Sequence, residues 1–407
     1  MAKPVSIIAV IILILVAAAG GYFAGQSTVP TTGTTTTVTE RITETVTQAV
    51  TQTAPVKKPI SAAFIYIGPV GDTGWTWNHD QARKLLEAEF GITIPYSESV
   101  PYGDGPRVAT EYISKGANII FLGDALEVWD PTLSLVKAHP DVYFLHAAGY
   151  EHSLANVAAV YGKMYEVRYL NGIVAGRMTK TNKIGYVAAH PIPEVITGLN
   201  AFTMGVRSVN PSATVHVAFT HSWYDPSTEK SVAQSLIAIG CDVITQHADS
   251  PAAQIAAEDA GIYSLGYQSD MSSFAPHAYL TGCIWNWYPP LSKLFHEIQD
   301  GTFKNAWIYP GLAQRTGVIE MGPYNAVVPQ SVRDEVAKVR KSIEDGTFQV
   351  FQGPLKDRDG NERIPAGHVP TDDEIWTGML WVVPGVVGEI PPANLGSSMQ
   401  FSSRLVN

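Results

Sequence analysis

Cysteine is scarce in this 407-residue chain, which holds only Cys241 and Cys283. Two thiols exclude a disulfide framework and a four-cysteine zinc site. Each falls in an apolar, strand-like run, so each is expected to be a small buried thiol, a single long-range disulfide being the alternative. Charge is also low: 16% of residues are charged against 45% hydrophobic, the balance of a packed globular protein. The net charge is −10, so the basic footprint of a nucleic-acid binder is missing. The Asn-X-Ser/Thr sequon is absent, because Asn210 is followed by proline. There is no Gly-X-Ser-X-Gly elbow, which argues against a serine hydrolase. His190, His221 and His247-Ala-Asp249 lack the His-X₃-His spacing of a metal site. Neither cofactor, metal nor catalysis is expected.

What the chain does have begins with Val5–Gly25, uncharged and long enough to cross a bilayer of roughly 30 Å hydrocarbon as a helix. Lys3 precedes it and the next basic residue is Arg41, which places the bulk of the protein outside the cell. A cleaved signal peptide ending near Ala17-Ala-Ala19 is the alternative. No cysteine is near, so a bacterial lipoprotein anchor is not available. Residues 28–53 hold 13 threonines in 26 positions, a stalk rather than a domain and a candidate for O-glycosylation. A stalk has a use only where something stands off a membrane, which favours a retained anchor.

From Ala62 onward, strand-like and helix-like runs alternate with a period near thirty residues. Repeated βαβ units of this kind make parallel sheets with helices on both faces, an α/β fold. There are too many strands for one sheet, and a break falls at Thr179–Lys183. The reading is two doubly wound lobes, parallel sheets flanked by helices, joined by a hinge. The expected segments are an anchor or signal at 1–26, a stalk at 27–58, lobe I at 59–181 and 268–302, lobe II at 182–267 and 303–390, and a tail at 391–407. The strand around Ala278–Ile284 is expected to complete the first lobe. Gln330–Asp345 reads as an exposed charged helix, and Val350–Asn361 as a hairpin turning at Asp359-Gly360.

In doubly wound sheets ligands bind outside the carboxyl ends of the strands. The loops at those ends are rich in chemistry. They include Gly68-Pro-Val-Gly-Asp-Thr-Gly-Trp-Thr-Trp-Asn-His-Asp80, Gly123-Asp124, Gly149-Tyr-Glu-His152, His190-Pro-Ile-Pro-Glu194, His221-Ser-Trp-Tyr-Asp225, His247-Ala-Asp249, Tyr267-Gln-Ser-Asp270 and Trp285-Asn-Trp287. Aromatic and polar groups at one end of two lobes describe a cleft that closes on a small molecule. Flat apolar faces beside directional polar groups suit a nucleobase.

Asp72-Thr-Gly-Trp-Thr-Trp-Asn78, Gly185-Tyr-Val-Ala-Ala-His-Pro-Ile-Pro-Glu-Val195, Trp223-Tyr-Asp-Pro226, Gln246-His-Ala-Asp-Ser250 and Gly266-Tyr-Gln-Ser-Asp-Met271 resemble the motifs of the basic membrane protein family, in the family's order. The resemblance runs from about Ala62 to about Ile390 and implies the periplasmic-binding-protein-like fold of type I topology and a substrate-binding receptor of an ABC importer, of the purine-nucleoside type, partnered by a membrane permease. It matches Asp72, Trp77 and Asn78 to the family's first-loop contacts, Trp223 to its second-lobe aromatic, and Ser269-Asp270 to a pair whose Asp grips ligand hydroxyls. Trp285 stands where nucleoside binders carry the Lys that holds ribose. The resemblance therefore points to a free purine base such as adenine, a nucleoside being the alternative, and a surface sensor of such a ligand the alternative to a transport component.

Trp77 and Trp223, from opposite lobes, are the expected sandwich, each stacking contact contributing about 1–3 kcal/mol. Trp75 and Trp287 are further candidates, with core packing as the bland alternative. Asn78 and Asp270 are expected to read the ring edge, since Asn pairs with adenine and a carboxylate accepts from an amino group. Asp72 and Asp249 are the remaining candidates. Asp72 has the structural alternative of bonding its own loop, and Asp249 that of capping the helix at Pro251.

Overall fold

The computed structural model describes residues 57–124, 130–149 and 152–392. The expected anchor, the stalk up to residue 56, Trp129, Tyr150, Glu151 and most of the tail lie outside the described residues. Among the described residues no helix is long and apolar enough to cross a membrane.

The first elements are β1 (Ala62–Ile65), α1 (Trp75–Phe90), β2 (Tyr96–Ser97), α2 (Gly105–Ser114), β3 (Ile119–Leu122), α3 (Asp130–Ala138), β4 (Tyr143–Ala147) and β5 (Val157–Val160). There follow α4 (Met164–Met178), β6 (Lys183–Ala188), α5 (Pro193–Val209), β7 (Thr214–Phe219), α6 (Pro226–Ala238), β8 (Val243–His247), α7 (Ala252–Asp259), β9 (Tyr263–Gln268) and β10 (Tyr279–Trp285). The chain ends through α8 (Tyr288–Gln299), β11 (Ala306–Ile308), β12 (Ile319–Met321), α9 (Gln330–Glu344), β13 (Leu355–Lys356), β14 (Glu362–Ile364), α10 (Asp372–Gly378) and β15 (Val386–Val387).

One sheet runs β11-β5-β4-β3-β1-β2 and the other β12-β10-β9-β8-β6-β7-β15. Each contains the doubly wound order 2-1-3-4-5, centred on β1 in the first and β6 in the second. The fully buried strands Ala62-Ala-Phe-Ile65 and Ile119-Ile-Phe-Leu122 are apolar throughout, as parallel strands covered on both faces must be. The two-lobed α/β architecture expected from the alternation is therefore present.

Two placements differ from expectation. Tyr279–Trp285 does not complete the first sheet: it pairs in parallel with β9 and antiparallel with β12 in the second. The first sheet instead gains β11, paired with β5. The helix α4, expected before the interlobe break, packs against α5, α9 and β10 and so belongs to the second lobe. Its contact with α5 is close because it is made through glycine: a Cβ on Gly172 would lie 2.1 Å from Phe202 O, and one on Gly205 2.0 Å from Tyr169 O. The chain thus crosses between lobes after β5, after β10 and after β11.

Both cysteines are buried and free, as small core thiols. The hairpin is present as β13 and β14, antiparallel around Asp357–Asn361, with Asp357 accepting from the amides of Asp359 and Asn361. Past it the chain returns to the second lobe, where β15 joins the sheet edge beside β7 and Asn200 bonds both Trp381 O and Val383 N.

Candidate functional site

The carboxyl ends of both sheets meet at a cleft. Ile67, Trp75, Asp124 and Ala148 line it from the first lobe, and Glu194, Trp223, His247, Asp249 and Gln268 from the second. It holds about 300 Å³ of free space, its open mouth included. The lobes are closed on it. Asn78 Nδ2 donates to Gln268 O at 2.7 Å, and Ser269 Oγ donates to Thr73 O at 2.6 Å. A Cβ on Gly74 would lie 2.2 Å from Asp249 O and 2.7 Å from its Cα, so only glycine allows this approach.

The first-lobe loop spends its polar groups on itself. Asp72 Oδ1 accepts from the amides of Gly74 (2.8 Å) and Trp77 (2.9 Å), and Oδ2 from that of Thr76 (2.9 Å). These amides would otherwise be orphans at the start of α1, so Asp72 takes the structural role rather than the ligand-binding one. Burial pushes its carboxyl above the ordinary range, and the three amides pull it back. Asn78 is likewise committed: besides Gln268 O, its Nδ2 donates to Gly74 O at 3.0 Å. Its amide nitrogen is spent on clamping the lobes.

Of the two indoles of α1, the cavity receives Trp75, not Trp77. Two residues apart, they project roughly 200° from one another around the helix. Trp75 Nε1 donates to Gly123 O at 2.6 Å, which fixes its ring against the end of β3. Beneath it, Trp285 and Trp287 are stacked on one another at 5.0 Å and 18°, both meeting Trp75 edge-on at 6.1 and 5.1 Å. Both are almost fully buried and support the wall without forming it. Trp285 Nε1 donates to Tyr267 OH at 3.3 Å. His79, held between Trp75 and Trp287, is kept neutral by burial.

Across the cleft Trp223 is half-buried, its ring meeting His190 at 5.0 Å and His247 at 6.3 Å. Asp249 does not cap α7, whose N-terminus has no side-chain cap; its Oδ1 accepts from Gln268 Nε2 at 2.9 Å. Asp270 is exposed and accepts from Ser272 N at 3.0 Å, shaping the turn after β9 outside the cavity wall. The structure thus brings Trp75, Trp223 and Asp249 together, and leaves Trp77 and Asp270 out.

Glu194 and His247 stand in the strand-end loops read from sequence but were not among the expected ligand contacts, yet both line the cleft. Glu194 sits in the first turn of α5, where a carboxylate is favoured by the helix amides, and Tyr161 OH donates to it. His247 ends β8, with Nε2 3.4 Å from Glu194 Oε1, and burial pulls its pKa to about 4 despite that neighbour. Their position at strand ends was the available signal. The same two residues form one wall of a second compartment, with Arg168, Tyr161, Tyr267, Tyr309 and Trp376. Among the described residues no group of three or more His, Cys, Asp or Glu side chains is placed to hold a metal.

Residues 60–349 match the family model described as ABC transporter substrate-binding protein, PnrA-like. A purine-binding protein of Brucella abortus is 37% identical over 83% of this chain and 96% of its own. A putative ABC transporter glucose-binding protein of Haloferax volcanii, TsgA13, is 36% identical over 82% of this chain and 81% of its own. Among solved structures, an ABC transporter solute-binding protein of Aeropyrum pernix K1 superposes with a TM-score of 0.63 at 16% identity, over 79% of this chain and 99% of that one. That likeness concerns the fold alone. With the family model covering most of the chain and a relative of this identity spanning nearly its own full length, the chain belongs to the PnrA-like family of ABC transporter substrate-binding proteins.

Proposed function

We propose that this protein is an extracytoplasmic receptor that closes on a free purine base and presents it to an ABC permease, tethered to the membrane by Val5–Gly25. The observation that carries the reading is the pair of indoles lining one cavity from opposite lobes, Trp75 and Trp223, with polar groups in the wall beside them. Two stacking faces at about 1–3 kcal/mol each supply a large part of a micromolar affinity, roughly −8 kcal/mol. Because the faces belong to different lobes, the ligand stabilises the closed state. The purine-binding relative supports the class of ligand. Base over nucleoside rests on Trp285, buried in the aromatic layer where ribose-holding relatives carry Lys. Adenine in particular loses the support expected from Asn78 and Asp270, one committed to backbone and the other exposed.

Mass spectrometry of ligand released from denatured protein, followed by thermal-shift titration with adenine, hypoxanthine, guanine, adenosine and glucose, tests this. A purine base giving the largest shift is expected. Adenosine far ahead of adenine would overturn the inference from Trp285, and glucose ahead of every purine would overturn the purine reading.

A further inference from the structure

Asp249 sits in the cleft wall in surroundings that disfavour an ionised carboxylate. It is 5% exposed, and its Oδ1 accepts from Gln268 Nε2 at 2.9 Å. The charged groups around it are mainly of its own sign. Asp72 approaches from the loop before α1, Glu229 from α6 and Glu194 from the start of α5. Glu229 is bonded to the very next residue, accepting from Ser250 Oγ at 2.7 Å. Asp124, at the end of β3, lines the same cavity. His247 on β8 is neutral, and Tyr224 lies near Asp72. Arg168 faces the neighbouring compartment, with Nη1 on Gln246 O and its guanidinium 3.8 Å from the Tyr267 ring centroid. Among the described residues Asp249 is paired with no cation. Removing an ionised carboxylate from water costs several kcal/mol without such a partner, and nearby carboxylates add to that cost.

We propose that in the closed cleft Asp249 is a neutral carboxylic acid whose hydroxyl donates a hydrogen bond to an acceptor atom of the ligand, a ring nitrogen if the ligand is a purine. This rests on the purine reading above for the identity of the acceptor. It reverses the role expected of a cleft carboxylate, which was to accept from an amino group. When the loop carrying Gly74 withdraws, Asp249 meets water and ionises, while Asp72 keeps its amide partners within that same loop. Each closure then takes up one proton from solvent: an O–H bond forms on the free carboxylate oxygen and nothing is oxidised or reduced. Occupancy of the receptor is thereby linked to pH. The folded, closed form binds the proton more tightly than the open form, so affinity is full below the open-state value and weakens as pH rises from there to the closed-state value, by about tenfold per unit. The receptor also selects ligands that present an unprotonated acceptor to Asp249.

Isothermal titration calorimetry on the unmodified protein tests this, using the purine base that gives the largest thermal shift, between about pH 5 and pH 8. Repeating it in buffers of different ionisation heat reads the protons taken up. Uptake approaching one proton per ligand is expected, with a dissociation constant that rises with pH. Asp249→Asn replaces the titrating hydroxyl with an amide that does not titrate, so whatever affinity it retains is expected to show no pH slope. Binding with no proton uptake and a flat profile overturns the proposal alone. An unchanged slope in D249N overturns it by assigning the proton to another group, such as Asp72. If no purine gives a shift, the purine reading falls and the proposal with it. Should D249N not fold, the uptake measured on the unmodified protein decides.

Discussion

On the first-lobe rim Asp72 and Asn78 turn their polar atoms into backbone, capping α1 and clamping the loop after β9, while on the second-lobe rim Glu194, Trp223, His247 and Asp249 face the cavity. Both rims are rich in residues that read as ligand contacts. What separates them is whether a side chain has local amides to satisfy. The first rim opens a 16-residue helix through a glycine-rich turn, whose free amides capture the nearest carboxylate. On the second rim, α5 starts with Pro193, which has no amide to donate, and α7 follows Pro251, so Glu194 and Asp249 are left to the cleft. The first rim brings Trp75 and Asp124 to the cavity; the second brings most of its polar groups.

That division can be broken most severely at Gly74. Gly74→Val places a side chain where Asp249 O already lies 2.2 Å from a Cβ, so the closed state is blocked. If the closed population falls below roughly 1%, ligand affinity drops about a hundredfold, while thermal stability without ligand is expected to hold. Calorimetric titration beside a melting curve reads both. Trp223→Ala removes a stacking face, and its expected cost is about 1–3 kcal/mol of binding, roughly 5- to 150-fold, with little change in melting temperature. Asp72→Ala should show the opposite pattern. It orphans three amides at the start of α1, so unfolding in urea should report a loss of about 1–3 kcal/mol of stability. Affinity should fall less than in Trp223→Ala. Trp77→Ala is expected to change affinity by less than about threefold, since its ring is directed away from the cavity wall formed by Trp75. A loss as large as that of Trp223→Ala would return Trp77 to the site and dissolve the contrast between the rims.

Much of the fold was legible because the strands are continuous apolar runs set between helices; the charged helix expected at Gln330–Asp345 is α9, Gln330–Glu344. The strand β5 is harder to read for a physical reason. Its sequence is only Val-Ala-Ala-Val, and it starts at Val157 soon after β4 ends at Ala147, so no thirty-residue period announces it. The first sheet is completed by β5 and β11 rather than by the strand expected for it at Ala278–Ile284. In the site, the strand-end rule located the cleft and Trp223 and Asp249 within it. It did not choose between Trp75 and Trp77, because that depends on where α1 begins. Nor did it show that Asp72 would be absorbed by its own loop, an outcome set by three amide directions that sequence does not carry. Asp270 looked equivalent to its neighbours, but the turn it caps points it to solvent.

The most direct test of the account is a crystal structure of the protein grown with the purine base that stabilises it most. It should show the ring between Trp75 and Trp223 with a ring nitrogen within hydrogen-bond reach of Asp249. A ring stacked on Trp77, or held by Asp72 and Asn78 with the second-lobe groups unused, would contradict it.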